Sequence, residues 1–329
     1  MIEVLSSTAL STVQDLGRTG SLRWGVGTAG AMDPLALAAG NLLLGNDANA
    51  AAVEIPVFPF VIRFAEDCAF ALTGADCVAR LDEQPLLPWW AHQARAGQVL
   101  TLGPPPVGVW RASRAYLCLA GGVDVPQVLG SRSTQLRGAF GGHDGRALRQ
   151  GDVLRAAAPG DGIRQTGFGL VPPALALPLQ VDGLAAMRVL PAAEYLSYQE
   201  TSRAAFWAGE WKITAQSDRY GYRLAGETLT PIQSVEMRSH GIVPGVIQVP
   251  PGGQPIIQMR DAQPSGGYPK FGTVIEADLW RLGQAPIGSR VRFIETSWDD
   301  AVAAQDQLQG WLDEVRRLAD LHRWQRGRN

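Results

Sequence analysis

Short apolar stretches recur along almost the whole chain, and its 38 glycines and 22 prolines are spread evenly between them. That is the pattern of short strands joined by tight turns. Strands are expected over residues 58–64, 68–73, 99–102, 115–119, 153–156, 211–214, 245–249, 255–259 and 291–294. Three of the stretches, AGQVLTLG, QGDVLRAA and IGSRVRFIE, share a glycine-led turn, a likeness too short to count as a repeat.

Period 3.6 appears twice. Asp33 is a good N-cap with Pro34 at the first helical position. Leu35, Ala38, Ala39, Leu42 and Leu43 then make an apolar face, and Gly45 can end the helix. The second helix follows Ser297, with Asp300 completing a capping box and Leu308, Trp311, Leu312, Val315 and Leu318 on one stripe. It leads into a basic tail, HRWQRGRN. Residues 158–182, rich in Gly and Pro and without a clean period, read as a long connection, a flap or a linker.

Composition narrows the function classes more than it names one. At 329 residues, one large or two moderate domains are expected. The formal net charge of -2 gives no footprint for nucleic acid. No apolar run is long enough for a membrane span and the N-terminus lacks a signal-peptide pattern, so a cytoplasmic protein is expected. Cys68, Cys77 and Cys118 lack CxxC spacing and read as buried thiols. His92, His143, His240 and His322 form no HxxxH pair, so the metal site, if any, is unknown.

Five polar segments stand where strands and turns meet. In TVQDLGR, Asp15 and Arg18 are either an internal ion pair or part of a site. Ser131, Arg132, Ser133 and Thr134 lie between two Gly-Gly pairs. Such a segment suits a carboxylate or phosphate, or else forms a turn with a surface arginine. SDRYGYRLAG offers Asp218, Arg219 and Arg223 around Tyr220 and Tyr222, a salt-bridged hairpin being the plainer reading. Gln248 and Gln254 either tie loops together or read an amide such as urea or a lactam. The last segment groups Asp261, Gln263, Ser265, Tyr268 and Lys270 around Gly266 and Gly267, and Lys270 is one of two lysines in the chain. No GxxxxGK[ST] or GxSxG signature is present, and no GxGxxG follows an expected strand.

Taken in order, TVQDLGR, GAMD, SRAYLCLAGGVDVPQVLGSRST, GRALRQGD, SDRYGYRL, GVIQVPPGGQPI and DAQPSGGYPKFGTVIEADL resemble the biotin-dependent carboxyltransferase family, also called allophanate hydrolase subunit 2. The resemblance covers about residues 1–295 and implies a mainly β protein with a few helices and a cyclophilin-like β-barrel architecture. The division expected from it is a β-rich part over 1–95, the barrel over 96–295, and a C-terminal helix with its tail over 296–329.

Stand-alone bacterial members of the family resemble the C subunit of ATP-dependent 5-oxoprolinase. The resemblance therefore implies hydrolysis of 5-oxoproline to L-glutamate. The partners implied are a B-type subunit of the allophanate hydrolase subunit 1 family, related to a kinase inhibitor, and a LamB/YcsF-type A subunit. ATP with Mg²⁺ would be shared with them, and this chain would carry no covalently bound biotin. Two alternatives are a carboxyltransferase acting on urea with carboxybiotin and a regulatory antagonist of the kinase-inhibitor-like partner.

In these terms Asp261, Lys270 and Tyr268 are the candidate catalytic residues. Gln248, Gln254, Gln263, Ser265, Gly266 and Gly267 are candidates for substrate, and Ser131, Arg132, Ser133, Thr134 and Arg219 for phosphate. The segment from Gln263 to Pro269 departs from the family's Gln-Thr-Thr-Gly-Gly-Tyr-Pro, losing one hydroxyl and replacing the other with Ser265.

Overall fold

Ile2 and Val4 are wholly buried while Glu3 and Leu5 are not, so β1 (Ile2–Ser7) turns one face inward, as alternation along a strand requires. In the computed structural model, which describes residues 1–8, 10–106, 112–158, 166–233 and 237–326, this strand belongs to a six-stranded sheet. The order is β11 (Val153–Leu154), β1, β4 (Phe60–Phe64), β9 (Val99–Leu102), β6 (Arg80–Leu81) and β7 (Gln84–Pro85). A second sheet has β2 (Thr12–Gln14), β3 (Ala52–Ile55), β10 (Ala115–Leu119), β5 (Cys68–Gly74) and β8 (Trp90–Ala94).

The two sheets share one core, in which Phe60, Ile62 and Phe64 meet Val53, Ile55, Phe70, Leu72 and Leu117. The alternate residues of the second sheet, Ala69, Ala71, Ala91, Tyr116 and Cys118, pack on α1 (Pro34–Leu43). Being covered on both faces, β5 and β10 read as continuous apolar runs, which is why both are visible in the sequence.

Asp33 accepts from the Ala36 amide at 2.9 Å as the expected cap of α1, and Gly45 follows with φ 76°. The helix buries nearly its whole circumference rather than one face. Its last carbonyl groups accept from Arg323 of α5 (Trp298–Arg326), whose Trp311 meets Trp89 edge-on at 6.5 Å.

The second unit is a closed β-barrel. Its strands run β13 (Leu184–Pro191), β20 (Lys270–Val274), β17 (Val246–Gln248), β18 (Ile256–Gln258), β15 (Gly221–Ala225), β14 (Trp211–Ile213) and β21 (Arg290–Glu295). Parallel pairing of β21 with β13 closes the ring, and β12 (Gln180–Val181) extends it. Met187, Val189, Trp211, Tyr222, Ile247, Ile257, Phe271 and Phe293 are buried within this unit. Phe206 of α3 (Glu200–Ala208) stacks on Phe293 at 4.9 Å. A short pair, β16 (His240–Gly241) with β19 (Ser265–Gly266), stands outside the barrel sheet. Two further short helices are α2 (Pro173–Ala176) and α4 (Leu279–Gln284).

The domain boundary differs from the expected one. One unit comprises 1–18, 29–176 and 309–329, and the other 19–28 and 177–308. No break occurs at residue 95, because β8 and β9 on either side of it lie in the two sheets of one core. The division falls instead inside the Gly/Pro-rich connection, of which residues 159–165 lie outside the described residues. The C-terminal helix is no separate domain, since its residues are divided between the units. Its N-terminus is capped by Ser297, whose Oγ accepts from the Asp300 amide as expected, while the Asp300 carboxylate accepts from the Ser297 hydroxyl. Leu318, placed on the apolar stripe, is exposed and Ala319 takes its place. The helix continues to Arg326, while residues 327–329 of the expected tail lie outside the described residues. Among the described residues no helix is long and apolar enough to cross a membrane.

Candidate functional site

Alternation along the barrel strands decides which side chains leave the barrel core. Tyr222, Ile257 and Ile247 are paired across β15, β18 and β17 and are wholly buried. Their neighbours must therefore point to the opposite face. Arg223, Ile256 and Gln248 form one cross-strand row there, and Gly221 sits opposite Gln258 in the next. These residues are the floor of a cleft of about 350 Å³.

One wall of the cleft comes from Gln216, Asp218 and Tyr220 in the β14–β15 turn, and the other from Gln263, Gly266, Gly267 and Tyr268. Gln258 Nε2 donates to Gln248 Oε1 at 3.1 Å, and Gln248 Nε2 donates to the Tyr268 carbonyl at 3.0 Å. This chain of amides fixes the Gln248 side chain and leaves Gln258 Oε1 unspent by it. Gly266 lies directly over the pair: a Cβ there would stand 2.8 Å from Gln248 Nε2, closer than any side chain tolerates. A Cβ at Gly267 would meet nothing nearer than 3.4 Å, so the close-approach argument holds for Gly266 alone. Tyr268 is half-exposed at the rim, free to cover one face of a small ring.

The hairpin wall is held from behind. Asp218 Oδ1 accepts the Tyr220 and Gly221 amides, an Asx turn that fixes the bend. Arg219 makes a two-pronged ion pair with Asp261, both hydrogen bonds being 2.9 Å. The backbones on either side are laced as well, the Asp261 amide to Arg219 and the Met259 amide to Tyr220.

Several expected site residues are placed differently. Asp261 is 1% exposed and both its oxygens are engaged by Arg219, so neither is offered to a substrate, metal or water. Lys270 lies on β20 and its backbone amide donates to Glu194, but its ammonium does not line the cleft. Ser265 is exposed on β19 and is absent from the lining. Gln254 ties a loop, accepting from the Gly226 amide and donating to the Gly226 carbonyl. Gln248, Gln263, Gly266, Gly267 and Tyr268 are brought together as expected.

The phosphate candidates of the other unit are occupied by their own protein. Ser131 Oγ donates to Asp15 at 2.7 Å, Ser133 Oγ donates to the same oxygen at 2.5 Å, and the Arg132 amide donates to its partner oxygen. Thr134 Oγ1 donates to the Val13 carbonyl, and Arg18 donates to the Ser133 carbonyl while lying over the Phe140 ring. Asp15 is thus the buried hub of a turn, and the three hydroxyls are not available to phosphate. Arg132 is half-buried and held through its Nε on the Val125 carbonyl.

Gln258 and Gln216 are lining residues that the sequence alone does not single out, while Asp218, Tyr220 and Arg223 come from the SDRYGYRLAG segment, for which a salt-bridged hairpin is the plainer expectation. The signal for Gln258 is present: glutamine at the outward position of IIQ, mirroring Gln248 in VIQ on the neighbouring strand. Among the described residues no cluster of His, Cys, Asp or Glu is suited to hold a metal. The three cysteines are buried free thiols, and burial pushes Cys77 up to about 12 and raises Cys68 and Cys118, so none is a ready nucleophile.

Comparison with known proteins gives consistent kinship. The carboxyltransferase domain, subdomain A and B, matches residues 24–295. A Haemophilus influenzae protein named as the C subunit of 5-oxoprolinase is 42% identical over 97% of this chain and 99% of its own length. Its Escherichia coli namesake is 40% identical over 96% and 97%. The crystal structure of Kluyveromyces lactis urea carboxylase superposes with a TM-score of 0.86 at 28% identity, covering 95% of this chain and 29% of that one.

Proposed function

The chain belongs to the carboxyltransferase-domain family, and on that premise we propose that it is the C subunit of an ATP-dependent 5-oxoprolinase, active with partner subunits. The observation that carries the reading is end-to-end kinship with two proteins that bear the name of that subunit. The match to urea carboxylase, by contrast, spans under a third of that much longer protein.

The cleft on the outer barrel face has the chemistry a lactam needs. A lactam presents one carbonyl acceptor and one N–H donor, and discrimination comes from protein amides that would be left unpaired by anything else. Gln258 Oε1 accepts the ring N–H, while the amides of Gln216 and Gln263 stand on the walls as donors to the ring carbonyl. Tyr268 shields the ring, and Gly266 keeps the roof close to the Gln248 amide.

The nucleotide is a different matter. Four of the five residues offered to phosphate do not fit, because Arg219 is spent on Asp261 and Ser131, Ser133 and Thr134 are spent within their turn, while Arg132 is held through its Nε on the Val125 carbonyl. No step involving ATP is therefore assigned to them. In this reading the B-type and A-type partners complete the phosphate-handling part of the enzyme.

Reconstitution tests the reading. The full chain mixed with its B-type and A-type partners, 5-oxoproline, ATP and Mg²⁺ should release glutamate, and omission of this chain should abolish release. Carboxylation of urea in the presence of a carboxybiotin carrier, with no glutamate formed, would establish the carboxyltransferase alternative instead.

A further inference from the structure

We infer that Arg223 and Asp218 make the cleft selective for cyclic amides that carry a carboxylate beside the ring nitrogen, and for the amino acid formed when such a ring opens. This rests on the reading of the cleft as a lactam site and adds the substrate feature that the amides cannot see. A urea or a bare lactam is neutral, and the glutamines would serve any of them alike.

The two charged groups of the cleft differ from the buried Arg219–Asp261 pair in one respect. Both are exposed side chains lining the same cavity, and among the described residues neither takes part in a protein ion pair. Register fixes where Arg223 stands. It is in one row with Ile256 and Gln248 on adjacent strands, so its Cα lies two strand spacings, about 10 Å, from that of Gln248. Ile256 lies between them as an apolar floor, and Gly221, next along β15 on that face, contributes no side chain to fill the space. A small ring resting on Ile256 would have its amide toward the glutamines and its substituent toward the guanidinium. Arginine's planar fork suits a carboxylate there.

Asp218 supplies the opposite charge. One of its oxygens is used by the Tyr220 and Gly221 amides, which anchors the carboxylate at the cleft wall. When water adds to the ring carbonyl carbon and the C–N bond breaks, the water oxygen stays on that carbon as part of a new carboxylate and both water protons end on the nitrogen, which leaves as an ammonium. The product then carries a cation next to the carboxylate held by Arg223, and Asp218 is the counter-charge for it.

The test is calorimetric titration of the full chain with 5-oxoproline, 2-pyrrolidinone, urea and L-glutamate, alongside glutamate release by the reconstituted enzyme. The expected result is that 5-oxoproline binds at least tenfold tighter than 2-pyrrolidinone or urea. R223Q should remove that preference and R223K should restore part of it. D218N keeps the oxygen that caps the turn and should weaken L-glutamate binding several-fold while leaving 5-oxoproline binding in place. Equal binding of 5-oxoproline and 2-pyrrolidinone, an R223Q chain that binds 5-oxoproline normally, or a wild-type chain that binds none of the four would overturn the inference. Failure of the enzymatic reading alone shows separately, as carboxylate-selective binding without glutamate release.

Discussion

At the scale of single residues, the charged groups that look most chemical in the sequence are the ones the fold uses as struts. Asp261 and Arg219 are buried and bonded to each other, and cutting one partner from such a pair costs roughly 3–5 kcal/mol because the other charge is left uncompensated. Asp261→Asn should accordingly lower the melting temperature of the isolated chain by many degrees, whereas Lys270→Met should leave it nearly unchanged. Calorimetry on the two variants checks this. Asp152 offers a pH test of the same idea. Paired hydrogen bonds from Arg146 hold its carboxyl down at about 2, below its ordinary value. A depressed folded pKa stabilises at pH above the ordinary carboxylate value, and that contribution is lost as pH falls from about 4 to about 2, here on the order of 1–2 kcal/mol. Urea midpoints followed across that window should fall less steeply for Asp152→Asn than for the wild type. Gln248, Gln263, Gly266, Gly267 and Tyr268 are legible in the sequence because they sit in polar segments where strands meet turns, whereas Gln216 and Gln258 are not. Asp261 and Asp218 are not distinguishable there, since burial and partnership are properties of the fold and not of local spacing.

At the scale of elements, every segment expected to be a strand contains one, several of them a residue or two shorter and two slightly longer, because each places apolar residues at the positions the fold buries. The strands that are not legible are short or polar: β19 is Ser265–Gly266, and β8, reading WAHQA, alternates without apolar emphasis. Outward polar positions on barrel strands look like noise until the register puts Gln248, Gln258 and Arg223 on one face. The β16–β19 pair illustrates the consequence, since it carries Gly266 and holds it against the Gln248 amide. Gly266→Ala would force that amide to move by several tenths of an ångström. Loss of 5-oxoproline affinity of roughly tenfold is expected, while the folded content measured by circular dichroism stays as in the wild type. An unaltered affinity would show that the roof of the cleft is not part of the site.

At the scale of the whole molecule, a sandwich unit and a barrel unit share the chain, and the crossing at residues 19–28 is invisible in the sequence because a short loop carries no composition shift. Tryptophan illustrates the same limit. Of the ten, Trp89 is core and Trp90, half-buried, pairs by its backbone with Gly169. Trp24, Trp298 and Trp324 are exposed, and Trp110 lies outside the described residues. The central claim, that the outer face of the barrel is the lactam site of a 5-oxoprolinase, turns on which of two glutamines matters. The most direct measurement is kcat/KM for 5-oxoproline in the reconstituted enzyme carrying either Gln248→Ala or Gln254→Ala. Removing a buried amide from the cleft costs about 1–3 kcal/mol, so Gln248→Ala should lose roughly ten- to a hundredfold while Gln254→Ala, which only loosens a loop tie at Gly226, stays near the wild type. Equal losses from the two, or a loss from Gln254→Ala alone, would contradict the placement of the site.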